Sequence, residues 1–218
     1  YIAARARYMA TMLRYEQKKI TGEEAADAIE NNRMRWRGDA LERQMLMSLV
    51  GIYSDLKHYD EVLRTKKALL DAFPNDPQTL KISGEMAELF ENIFLGDMAD
   101  EMEPLKALSL FYEFRDLTPL GEKGDHIIQR LADRLAALDL LERATQLLEH
   151  QIKFRTTASA RSQVGARLAL LHLLNQRPQE ALSVLEVTNY GGNSPELQIQ
   201  RQQLTAEALM KLNKNDEA

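Results

Sequence analysis

The chain contains no cysteine, so neither a disulfide nor a thiolate metal site can be built from it. It also lacks long apolar runs. Nothing approaches the roughly 18 residues that a membrane-spanning helix needs, which argues against insertion of this segment into a bilayer. Runs of β-branched residues are nearly missing, and strands depend on them. What fills the space is Ala, Leu, Glu, Gln and Arg, the strong helix formers. Hydrophobic residues make up 44% of the 218 and charged residues 28%, the mix of a folded globular chain rather than a disordered one. The expected class is all-α. A net charge of −5 is too negative for bulk phosphate neutralisation to be the main task. The chain begins at Tyr1 rather than Met and is read as a segment of a longer protein, so a missing leader carries no weight.

An internal repeat organises the sequence. Ala144 recurs 37 positions on as Ala181 and again as Ala218, and one period back as Ala107. From Ala107 back to Val62 the step is 45, one period plus an insertion of 8, and from Val62 to Ala25 it is 37 again. Each anchor opens an apolar stripe at helical spacing, such as Ala107, Leu108, Phe111 and Phe114, or Ala181, Leu182 and Leu185. A second amphipathic segment precedes each anchor in a fixed register: Leu49, Val50 and Tyr53; Met86, Ala87 and Phe90; Leu131, Ala132 and Leu135; Leu168, Ala169 and His172. Short polar stretches separate the two segments, namely 18–22, 56–60, 175–179 and 213–216. Longer ones separate successive pairs, namely 36–39, 73–77, 118–125, 155–160 and 188–195. Thr21 and Glu24 have capping-box spacing, Asp76-Pro77 and Ser194-Pro195 read as a helix cap followed by a first-turn proline, and Pro178 suits a first helical position. The unit is a pair of helices that cannot bury its apolar face alone, so successive pairs must stack.

The pattern resembles the tetratricopeptide repeat. Leu49, Val50, Tyr53, Tyr59, Val62, Leu69 and Pro74 fall at its offsets, and Ala107, Phe111, Phe114 and Pro119 match the second half of a later unit. The departures are a period of 37 rather than 34, Val at 62 in place of the signature alanine, and Lys66 at a normally aromatic position. The resemblance covers nearly the whole chain, which is also similar to segments of long multi-repeat bacterial proteins. It implies a right-handed α-α superhelix, a solenoid of about five helical hairpins with a 37-residue period. The approximate units are 1–38, 39–76, 77–121, 122–158, 159–195 and an incomplete 196–218.

Catalytic patterns are not found. There is no H-E-x-x-H, nucleophile elbow, Walker loop or dinucleotide fingerprint, and none of His58, His126, His150 and His172 has a histidine partner at helical pair spacing. His172 lies on an apolar face and reads as a packed structural side chain, His58 as an exposed turn residue. Arg37-Gly38-Asp39 is the tripeptide of integrin ligands, a match too short to carry weight. The expectation is a non-enzymatic protein with no cofactor and no metal. Residues 1–40 interleave Arg5, Arg7, Arg14, Lys18 and Lys19 with Tyr8, Tyr15 and Trp36, but eight bases against six acids argue against nucleic acid as the partner.

In a tetratricopeptide-like superhelix the first helix of each pair lines a concave face. The inward positions implied by that register are Arg7, Arg14, Gln44, Met47, Glu88, Gln129, Asp133, Gln163, Ala166 and Leu170. The set lacks the Lys/Asn combination with which chaperone-binding members of the family clamp a C-terminal carboxylate. The expected partner is therefore a helix or extended peptide of another protein, its apolar anchors set against Met47 and Leu170. The insertion supplies an alternative. Residues 85–103 hold seven acids and no Lys or Arg, and Phe94, Leu95, Met98 and Met102 lie within them. They read either as a long connection folded back on the neighbouring unit or, if exposed, as a self-association surface for a homodimer or a structural spacer.

Overall fold

The computed structural model of the chain describes residues 1–96, 98–154 and 158–212, with only the backbone described at 158 and 159. These residues form eleven α-helices, one short 3-10 turn and no strand: α1 (Ile2–Glu16), α2 (Gly22–Arg33), α3 (Ala40–Asp55), α4 (Tyr59–Ala72), α5 (Thr79–Leu95), α6 (Pro104–Glu113), the 3-10 turn Arg115–Leu117, α7 (Glu122–Ala137), α8 (Leu141–Phe154), α9 (Ala158–Leu174), α10 (Pro178–Val187) and α11 (Pro195–Lys211). The repeat anchors Ala25, Val62, Ala107, Ala144 and Ala181 fall in α2, α4, α6, α8 and α10, and none is more than 2% exposed. A small side chain at the same point of every second helix lets that helix approach its neighbours closely, which is why the spacing recurs. Ala218 and the stretch 213–216 lie outside the described residues, as do 155–157.

The turn from first to second helix uses one backbone device four times. Lys18, Lys57, Asp139 and Gln176 take left-handed conformations, with φ of 54°, 58°, 61° and 57°. The N–H of the next residue then reaches back five positions: Lys19 to the Arg14 carbonyl at 2.8 Å, His58 to Tyr53 at 2.9 Å, Leu140 to Leu135 at 2.8 Å and Arg177 to His172 at 2.8 Å. This helix-ending motif satisfies carbonyls that the last turn leaves without partners.

Helix starts follow the side chains for the most part. Thr21 and Glu24 form the capping box, Ser194 caps α11 through the Leu197 N–H, and Pro178 opens α10. Two starts differ from the sequence reading. Asp76 accepts from the Gln78 N–H at 2.8 Å, but regular helix begins only at Thr79, two residues beyond Pro77. Within 118–125, read as a connection, α7 already begins at Glu122, because Gly121 supplies a φ of 77° that turns the chain and Glu122 and Asp125 favour a first turn. Asp39 of the Arg-Gly-Asp tripeptide is a cap: its carboxylate accepts from the N–H groups of Leu41 and Glu42 and from Trp36 Nε1 at 2.9 Å.

The chain divides into two compact units, Tyr1–Ile93 and Phe94–Ala218. In the first, α1 to α4 each pack on the next, around a core that includes Ala4, Ile29, Met45, Leu49 and Ile52. Buried Asn32 donates to the Ala4 carbonyl at 2.7 Å, tying α2 to α1. Lys66, at the position where the resemblance expects an aromatic ring, is buried and pairs with Glu85 of α5, whose carboxyl is held below its usual range by that bond. His58, expected to be exposed, is half-buried and stacks on Tyr53 at 6.4 Å between ring centroids.

In the second unit α7 to α11 pack in sequence, and α9 also touches α11. The core between α9, α10 and α11 contains Ala166, Ala169, Ala181, Leu185, Leu204 and Ala208. His172 of α9 is buried as expected, and burial holds its imidazole below its ordinary pKa, with Glu149 of α8 at 3.7 Å acting in the opposite sense. The insertion folds back on α7. Arg130 donates to the Leu95 carbonyl and to Asp100 at 3.1 Å, Arg134 pairs with the same carboxylate, and Ala99 is buried.

Candidate functional site

Of the residues expected to line a concave face, the structure brings two into one cleft. Gln129 of α7 and Gln163 of α9 border an open depression of ≈ 640 Å³ whose other walls are the first turn of α7 and the connection into α11. Glu122, Asp125 and His126 come from α7, and Asn193 and Ser194 from that connection. The acids sit there because the first turn of α7 favours negative charge. Asp125 is held in place from behind: buried Gln151 of α8 donates to its carboxylate at 3.0 Å. On the other side Gln198 donates to the Asn193 carbonyl at 3.1 Å, fixing the loop ahead of α11.

The other expected positions are distributed as follows. In the first unit Arg7 and Arg14 of α1, Gln44 and Met47 of α3, and Glu88 of α5 are all exposed. Tyr8 and Ser48, next in sequence to Arg7 and Met47, share a hydrogen bond at 2.8 Å that links α1 to α3. In the second unit Leu170 is exposed and half-buried Asp133 pairs with Arg167, so that carboxylate is already engaged. Ala166 is a correction. It is 1% exposed and lies in the core between α9, α10 and α11, so it lines no surface. The residue one position on, Arg167, is the exposed one.

Phe94 is a second correction. It is 1% exposed and makes an edge-to-face contact with Phe111, with ring centroids 5.8 Å apart. It cannot serve as a surface anchor for a second copy. Leu95, Met98 and Met102 are half-buried rather than exposed. Because Asp100 is claimed by two arginines of its own chain, the acidic insertion is in part neutralised internally.

Sequence reasoning missed Glu122, Asp125, Asn193 and Ser194, because it assigned 118–125 and 188–195 to connections, and it weighed His126 only as a metal ligand. One signal was available: His126 stands one 37-residue period before Gln163. Chemically the cleft offers two carboxylates that accept, and amides and hydroxyls that both donate and accept. That set suits holding a polar chain. Among the described residues no group of three or more His, Asp or Glu is placed to hold a metal ion, and no helix is long and apolar enough to cross a membrane. No protein-family model matches the chain, and no curated protein matches it.

Proposed function

We propose that this chain is a non-enzymatic binding scaffold of tetratricopeptide-like, superhelical build, and that it holds an extended peptide of another protein against the first helices of its pairs. The observation that carries the reading is the cleft that Gln129 and Gln163 share. It is open and polar, and it lies between consecutive first helices, α7 and α9. Side-chain amides at such positions can bond both the N–H and the C=O of an extended backbone, which presents a polar pair every ~3.3 Å. Glu122 and Asp125 favour a basic residue in that peptide.

The test is selection from a random peptide library displayed on phage, followed by titration of the enriched peptides against the chain and against Gln129→Lys/Gln163→Lys. Both positions are at least partly exposed, so the fold tolerates the change. The expected result is enrichment of Lys- or Arg-bearing sequences whose affinity falls about tenfold or more in the double variant. Enriched peptides that bind both proteins equally would refute the placement of the site, and failure of any peptide to enrich would refute the scaffold reading.

A further inference from the structure

The second unit carries another opening, lined mostly from its second helices. Between α6, the 3-10 turn, α7 and α8 lies a cavity of ≈ 510 Å³ lined by the buried side chains of Phe111, Ile128 and Leu147. Part of its rim is apolar as well. Leu120, on the connection before Gly121, is 92% exposed, and Tyr112 is exposed beside it. A leucine held in water at the mouth of an apolar depression is not core material. It is surface that loses water only when something enters. Beyond the cavity edge the apolar rim continues: the His150 ring lies 4.7 Å from the exposed ring of Phe154.

Two cations stand at this opening: Arg115 lines it, and Lys153, one turn of α8 beyond His150, sits 5.2 Å over the Phe154 ring. Against them the lining holds one acid, Asp116. Glu149, next to His150 in sequence, lies against His172 instead.

We propose that this cavity is a second interaction site, which takes one large apolar side chain, aromatic or leucine-like, from a partner peptide that carries carboxylates on either side of it. The apolar anchor fills the space above Phe111, Ile128 and Leu147 and is clasped by Leu120 and Tyr112. The flanking carboxylates meet Arg115 and Lys153. A central apolar anchor within a charged rim is the usual division of labour at such sites: the anchor supplies affinity and the charges supply selection and rate. The site is independent of the amide-lined cleft, and its partner has the opposite charge.

The experiment is methyl NMR on the intact chain with Leu and Ile methyls labelled, titrated to millimolar concentration with an acetylated, amidated pentapeptide Glu-Asp-Phe-Asp-Glu. Two control peptides replace the phenylalanine by serine or all four acids by lysine. The expected result is saturable shifts at Leu120, Ile128 and Leu147. They disappear with the serine peptide and need about tenfold more of the lysine peptide. The variant Leu120→Ser/Tyr112→Ser, altered only at exposed positions, keeps its remaining methyl signals but loses the shifts at Ile128 and Leu147. No shift at those methyls, equal shifts from the serine peptide, or shifts that survive in the double variant would each overturn the site. Equal binding of the lysine peptide would overturn the proposed partner charge.

Discussion

Arg201 of α11 is a buried cation that pairs with no carboxylate among the described residues. It is 7% exposed, and its guanidinium donates to the Ser162 carbonyl of α9 at 2.7 Å, to the Leu185 carbonyl of α10, and to the Thr188 hydroxyl at 3.4 Å. The Leu185 bond has a local cause. Asn189 bonds back to Glu186, so the helix itself leaves the Leu185 carbonyl open at the end of α10, where a cation is favoured. Burial pushes the guanidinium pKa down, the sign of a charge paid for by desolvation. In Arg201→Met the stem still packs. Two close charged bonds, each ~1.5–3 kcal/mol, are lost. Release of the cation from its buried position offsets part of this, several kcal/mol at most. The expected net loss is ~2 kcal/mol, since the Leu185 carbonyl is left without a donor. With a urea slope of ~1.5 kcal/mol/M, the unfolding midpoint of the second unit falls by ~1.3 M. Hydrogen exchange should accelerate in α10 and α11 first. An unchanged midpoint, or a higher one, would show that desolvation outweighs the carbonyl bonds and would refute this account of the α9–α10–α11 junction.

The same junction predicts that Gly165→Ala is costly: a Cβ there would lie 2.0 Å from the Thr188 hydroxyl and 2.6 Å from its Cβ. Calorimetry should show a loss of ~2–3 kcal/mol, and a melting temperature equal to wild type would sink the assignment of close packing. At the left-handed turns the direction reverses. Asp139→Gly and Gln176→Gly each relieve a strained φ and should stabilise by ~0.5–1 kcal/mol net of glycine's entropy, read as a rise of about 2–8 °C for the pair. His172 predicts a pH dependence. Because burial lowers its folded pKa below the ordinary 6.5, the unfolded state takes up the proton first as pH falls. The stability it contributes is therefore complete above about pH 6.5 and is lost as pH falls toward the folded value. His172→Leu should flatten that part of the stability profile between pH 7 and 5, and an unchanged slope would point to another group.

Much of the fold was legible because packing recurs. Ala25, Val62, Ala107, Ala144 and Ala181 must each be small where one helix meets its neighbours, so a single period marked five helices. The turns were less legible. Lys18, Lys57, Asp139 and Gln176 share a backbone conformation but no side-chain chemistry, and any residue that tolerates a positive φ can serve there. The sequence left the insertion open between a connection folded back and an exposed surface, because an acidic, Met-bearing stretch is compatible with either. Its fate was decided 30 residues or more downstream, by Arg130 and Arg134 reaching back from α7. Lys66 was noticed as a departure, but its partner Glu85 sits 19 positions away and gives no periodic signal.

The same logic explains why the binding surfaces resisted sequence reading. A repeat imposes its period on the residues that face other helices, because each must fit the same neighbour. It imposes nothing on the residues that face a partner. His126 and Gln163 occupy one register position and share no chemistry, and one step further Gln129 lines the cleft while its counterpart Ala166 is buried. The acids that give the cleft its sign, Glu122 and Asp125, belong to a first turn that Gly121 makes possible, and Leu120 beside them belongs to the other opening. One short connection, 118–125, thus contributes to both candidate surfaces on the second unit. A connection between helix pairs is where a repeat protein has the freedom to be specific.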